Sequence, residues 1–242
     1  MNLHYIILSS SYTLGKRICL DVVDDATQAN SAVTIIKESC GYDVSLSYHT
    51  IKTVSAIWSS VINKDAFFKD VKKIDEITEF INLIEKDRSL SAMDVAKYIV
   101  SITPCTNIKL QKLLYLSYAD YLTCYKKHLF EGDSICALPY GPVVSTVLDF
   151  FKGRRNVLNE EDFDISQNEK LRLPARSRIL FAAEGNEKLI SIGNTLKNYG
   201  ALSITQLIEL THGKDTPWYI TKEAGHHRIK DSTILEYHIN EI

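Results

Sequence analysis

The sequence predicts a mainly α protein: a small helical N-terminal module followed by a larger helical domain with at most a short β-hairpin. Three observations predict it. Apolar residues recur at helical spacing in most long segments, and helix caps stand at the boundaries between them. The segment from Asn107 to about Lys126 is also apolar over an unusually wide arc, and reads as the central helix of its domain.

In the first 88 residues, Tyr5–Leu8 fits either a short strand or the start of a helix. Ser31–Cys40 reads as a helix closed by Gly41 at its C-cap. Thr50–Ile62 carries Ile51, Val54, Ile57, Trp58, Val61 and Ile62 at spacings of three and four, which predicts a second helix. Asp75–Glu85 predicts a third, with Ile77, Phe80, Ile81 and Ile84 on one face. Helix, Gly41 turn and helix also form a candidate helix-turn-helix for DNA, although the second helix offers only His49 and Lys52 to a nucleic acid.

The polar run Lys86–Leu90 marks a boundary, dividing residues 1–88 from 89–242. Ser91 and Asp94 have capping-box spacing, and the helix they open ends near Ile102, before Pro104. Thr106 or Asn107 caps the central helix. With Lys109 at zero and 100° per residue, Leu110, Leu113, Leu114, Tyr115, Ser117, Tyr118, Tyr121, Leu122, Cys124 and Tyr125 fill an arc of roughly 200°, twice the stripe a surface helix needs. Lys109 and Lys112 fall in the polar arc, as a solvated or partner-facing pair. Gln111 projects into the apolar arc, where its amide must bond either a nearby loop backbone or a partner.

Gly132 marks a turn, Ile135–Leu138 a short strand, and Tyr140-Gly141-Pro142 a tight turn with Pro142 in the first turn of a helix that Gly153 ends. The mixed charge of Arg154–Arg178 reads as a solvated loop, or as a polar rim for a protein partner. Asn186–Tyr199 is a helix closed by Gly200. Ser203 and Gln206 form a second capping box, and Ser232–Ile239 is the last helix.

Two blocks in this second region carry a resemblance. Asn107-Ile-Lys-Leu-Gln-Lys-Leu-Leu-Tyr115, with Leu129-Phe130 and Tyr140-Gly-Pro-Val-Val144, resembles the Panacea domain family, which includes SocA-like antitoxins and phage-associated proteins. The family pattern is a Leu-Gln-Lys-Leu-Leu-Tyr helix followed by Ala-Trp-x-Tyr-Gly-Pro-Val. Ala137 and Tyr140–Val143 match it, while Leu138 stands where the family has Trp. Thr211-His212 followed by Pro217-Trp218 is similar to the family's C-terminal part, so the resemblance runs from about Ala92 to the C-terminus. It implies an antitoxin that neutralises a cognate protein toxin, encoded by an adjacent gene, by direct binding. The residues it singles out are Lys109, Gln111, Lys112, Tyr115, Tyr140, Gly141, His212 and Trp218. A DNA-binding autorepressor using the N-terminal helices, or a phage-borne protein that binds a host defence enzyme, are the alternatives.

Composition bounds these readings. The 242 residues carry 28 Lys and Arg against 30 Asp and Glu, so no global basic field draws the chain to nucleic acid or anionic membrane. No apolar run reaches the ~20 residues of a membrane span. Cys19, Cys40, Cys105, Cys124 and Cys136 read as free buried thiols of a cytoplasmic protein. No Walker loop, nucleophile elbow or zincin motif occurs, and no cofactor, metal or enzymatic activity is expected. His212 with Asp215 could be a base and its orienting acid, but the better reading is a histidine that follows a helix, where its charged form favours the negative end of the helix dipole. Trp218 reads as a core anchor.

Overall fold

The computed structural model describes residues 1–154, 156–158 and 175–242. They divide into two compact units. The first holds Met1–Ser89 with Phe181–Ala183; the second holds the remaining described residues from Leu90 to Ile242.

The first unit overturns the expectation of a helical N-terminal module, and with it the mainly α fold class. Strands β1 (Asn2–Ser11) and β2 (Lys16–Val23) form a hairpin, followed by helix α1 (Ala26–Cys40), strand β3 (Ser47–Thr53), helix α2 (Trp58–Lys64), the two-residue strand β4 (Lys72–Lys73) and helix α3 (Ile77–Arg88). The sheet order is β3-β1-β2-β4, antiparallel except for β2 with β4. Both faces are covered, so β1 and β2 are apolar on both sides rather than alternating. Ile7, Ile18 and Leu20 pack with Ile36, Phe80 and Ile84 of α1 and α3; Ile6, Leu8 and Cys19 pack with Val61, Phe68 and Val71 on the opposite side. A buried cross-link fixes the register. The Nδ1 of His4 lies 2.9 Å from both carboxylate oxygens of Asp21, and its Nε2 lies 3.1 Å from Thr53 Oγ1 and from the Ser55 carbonyl.

The predicted helix over Thr50–Ile62 is two elements. Thr50, Ile51 and Thr53 lie in β3, where β-branched side chains fit a pleated surface, and only Trp58 onward is helical. Val54 and Ile57, which completed the helical stripe, are exposed in the connection. The candidate helix-turn-helix therefore does not exist.

The second unit surrounds helix α5 (Asn107–Tyr125), which follows α4 (Ala92–Ile102). Both predicted caps are present: the reciprocal Ser91–Asp94 box on α4 and the Thr106 hydroxyl on α5. Strands β5 (Ile135–Leu138) and β6 (Gly141–Val144) form a hairpin, followed by helices α6 (Ser145–Phe150), α7 (Ala175–Leu180), α8 (Gly185–Tyr199), α9 (Ile204–His212), α10 (Pro217–Glu223) and α11 (Asp231–Tyr237), and a final 3-10 turn, His238–Glu241. Helices α4, α8, α9 and α11 and strand β6 all pack on α5. Pro142 lies in β6 rather than in a helix, and the helix begins at Ser145. Most of the solvated loop expected over Arg154–Arg178 lies outside the described residues. Arg178 is buried in α7, with Nη2 3.4 Å from Asp94 Oδ2.

Candidate functional site

Enclosure of the middle of α5 changes the meaning of its polar residues. Every residue from Leu110 to Ala119 is buried, including Lys112 at 1% exposure. The expectation that Lys109 and Lys112 form one exposed pair is therefore wrong. Lys109 is partly exposed in the first turn, whereas Lys112 points at the hairpin. Cys124, assigned to the apolar arc, is exposed, and Cys136 is half-buried; Cys19, Cys40 and Cys105 are buried.

Four side chains converge on the β5–β6 hairpin. Lys112 Nζ donates to the carbonyl of Tyr140 and, at 3.3 Å, to that of Pro142. Gln111 Oε1 accepts the Val144 amide at 2.9 Å, and its Nε2 donates to Asn107 at 3.2 Å, so this amide bonds backbone rather than waiting for a partner. Trp218 Nε1 donates to the Leu138 carbonyl at 2.8 Å. The Trp218 ring is half-buried and stacks on His212, with centroids 4.1 Å apart and planes 6° apart. Between these groups sits Gly141, at φ +101°. A Cβ there would lie 2.1 Å from Lys112 Nζ and 2.3 Å from His212 Nε2, so only glycine fits.

The electrostatics follow from burial. Desolvation lowers the Lys112 ammonium from 10.5 to about 7, opposed by the charge of Glu241. Burial, and then the neighbouring Lys112 charge, lower His212, while the Tyr140 backbone favours its protonated form. His212 Nε2 has no partner in hydrogen-bonding geometry.

Tyr115, the remaining candidate, belongs to a different cluster. Its hydroxyl donates to Glu241 Oε2 at 2.8 Å. His238 places Nδ1 2.7 Å from that same oxygen and Nε2 2.8 Å from Asp120 Oδ1, while Thr195 donates to the other Asp120 oxygen. With a carboxylate at each ring nitrogen, His238 is an imidazolium. Burial opposes that charge, but the bonds to Asp120 and Glu241 outweigh it and raise the group to about 9. This bracket ties the 3-10 turn to α5 and α8. No sequence motif announces His238 or Glu241; Asp120, an acid within the central helix, is the one signal available.

What the hairpin cluster presents outward is Tyr140, 76% exposed at its tip. Nearby, a cleft of about 660 Å³ is lined by residues that include Ile108, Leu138, Leu148, Lys152 and Ile204.

Residues 110–219 match the family described as antitoxin SocA-like, Panacea domain. This part of the chain is similar to SocA-like Panacea domains. The match is narrower than the resemblance suggested: it holds Gln111, Lys112, Tyr115, Tyr140, Gly141, His212 and Trp218, and excludes Lys109 and the His238–Glu241 turn. No curated protein and no solved structure matches the chain. Among the described residues, no helix is long and apolar enough to cross a membrane.

Proposed function

We propose that the protein is an antitoxin that neutralises a protein toxin, encoded by an adjacent gene, by direct binding, with the β5–β6 hairpin at the centre of the contact. The observation that carries this reading is the direction of the polar side chains of the Panacea domain. Gln111, Lys112 and Trp218 all bond the hairpin backbone from inside, which holds the exposed Tyr140 on a fixed platform. An exposed aromatic on a pre-ordered element loses little conformational entropy when bound, and tyrosine is enriched among residues that dominate interface energies. Lys109, partly exposed on the first turn of α5, is a further candidate contact.

The test is co-expression with the adjacent open reading frame, followed by pull-down and a growth assay. Wild type should rescue growth and retain the toxin, and Tyr140→Ala should do neither at low expression. Full rescue by a well-folded Tyr140→Ala protein would move the contact away from the hairpin.

A further inference from the structure

The sheet of the first unit has two edges of opposite character. On one side β4 is only two residues long, and both are lysines, which guards that edge against pairing. On the other side β3 runs for seven residues without proline, and its register against β1 is unbroken over its whole length, so no bulge twists it away. Ser47, Tyr48, Thr50 and Lys52 are all exposed, Tyr48 at 52%. No acidic residue lies between Asp43 and Asp65. Beyond β1, β3 has no strand neighbour among the described residues. Such an edge offers a row of open amides and carbonyls to another strand.

We propose that the occupant is a second copy of this chain, joined through antiparallel β3–β3 pairing about a twofold axis at Thr50. The strand's own sequence selects this partner. A twofold axis normal to the sheet keeps each face on its own side, so it pairs residues of equal parity. Centred on Thr50, it pairs all of Ser47–Thr53. Centred on His49 or Ile51, it leaves strand ends unpaired, and the former sets imidazole against imidazole. The Thr50 register places Thr50 against Thr50, Ser47 against Thr53, and His49 against Ile51. It also places Tyr48 of each copy against Lys52 of the other. Thr–Thr, hydroxyl and aromatic–cation pairs are favourable cross-strand neighbours, and no like charges meet. The contact joins two four-stranded sheets into one.

Sedimentation velocity on the full chain over a concentration series tests this. The expected result is reversible dimerisation to twice the 27.4 kDa chain mass, with Ser47–Thr53 amides gaining hydrogen-exchange protection as concentration rises. Tyr48→Lys opposes two lysine pairs across the axis and should weaken the dimer roughly tenfold, and Thr50→Lys should weaken it by setting a lysine against itself. Tyr48→Glu faces Lys52 of the other copy and should retain the dimer. Circular dichroism checks that each variant is folded, as expected for substitutions at exposed positions. A chain that stays monomeric at all concentrations overturns the proposal. So does a dimer that responds to none of these charges, or one that Tyr48→Glu and Tyr48→Lys weaken equally.

Discussion

Gly141→Ala is the sharpest perturbation of the hairpin platform. The backbone at φ +101° is one that a Cβ disfavours, by about 1–2 kcal/mol. The new methyl would lie 2.1 Å from Lys112 Nζ and 2.3 Å from His212 Nε2, far inside van der Waals contact. Either the ammonium or the turn must move, and both routes break the bonds from Lys112 to the carbonyls of Tyr140 and Pro142. Leaving buried polar groups unpaired costs about 1–3 kcal/mol. The sum, roughly 2–5 kcal/mol, should lower the melting temperature by about 10 °C for a protein of this size. Gly132→Ala is the control: its φ is +77°, but nothing lies within 4 Å of its added Cβ, so only the strain remains. Thermal and urea melts of the two variants, with Lys112→Met combined with Gly141→Ala, separate collision from strain. The double variant should be less destabilised than the sum of its parts, because the residues share a contact. Equal losses at Gly141 and Gly132, or strict additivity, would refute the account of Lys112 as the group that requires glycine.

Other expectations follow from the same contacts. Lys109→Glu should leave stability within about 0.5 kcal/mol, whereas Lys112→Glu should unfold the second unit by placing a carboxylate against two carbonyl oxygens; circular dichroism melts distinguish them. Tyr140→Ala should melt like wild type yet weaken toxin binding by about 2 kcal/mol, read by calorimetry. Stability against pH should carry two opposed slopes. Lys112 is lowered from 10.5 to about 7, so the unfolded chain binds the extra proton between those values and stability rises with pH there. His238 is raised from 6.5 to about 9, so the folded chain holds its proton and stability falls over that range. Between about pH 7 and pH 9 the two slopes offset one another, so Lys112→Met should expose a loss of stability with rising pH there and His238→Gln a gain; urea titrations at both ends check the signs.

The parts of the fold legible in the sequence are those where one local rule decides. Ser91 with Asp94, Thr106, and Ser203 with Gln206 cap helices where their spacing indicates, because a cap needs only a few neighbouring residues. The N-terminal sheet failed because its pairing is nonlocal. Ile51, Val54, Ile57, Trp58, Val61 and Ile62 have helical spacing, and only their assignment to a strand, an exposed connection and a helix shows that the spacing was accidental. A signal was present in the β-branched and aromatic run Tyr5-Ile-Ile-Leu8, the Gly15 turn and the second apolar run Ile18–Val23, which together make a hairpin.

The site was half legible for a related reason. Gln111, Lys112, Tyr140, Gly141, His212 and Trp218 could be picked out as a set, yet their roles could not, since a helical wheel assumes that a polar arc faces water. Around Leu110–Ala119 of α5 there is no water side. Its polar residues serve as connectors: Lys112 and Gln111 to the hairpin, Asp120 and Tyr115 to the C-terminal turn. A buried lysine of this kind requires acceptors on every approach, and a chain supplies them most compactly as carbonyls of a turn that cannot carry a side chain toward the amine. Lys112 and Gly141 therefore make a single requirement, written 29 residues apart in the sequence and meeting in one contact. The exposed Tyr140, whose carbonyl accepts from Lys112, owes its fixed position to that contact, which is why substitution at Gly141, although inside the fold, should also weaken binding of the proposed toxin in any variant that remains folded.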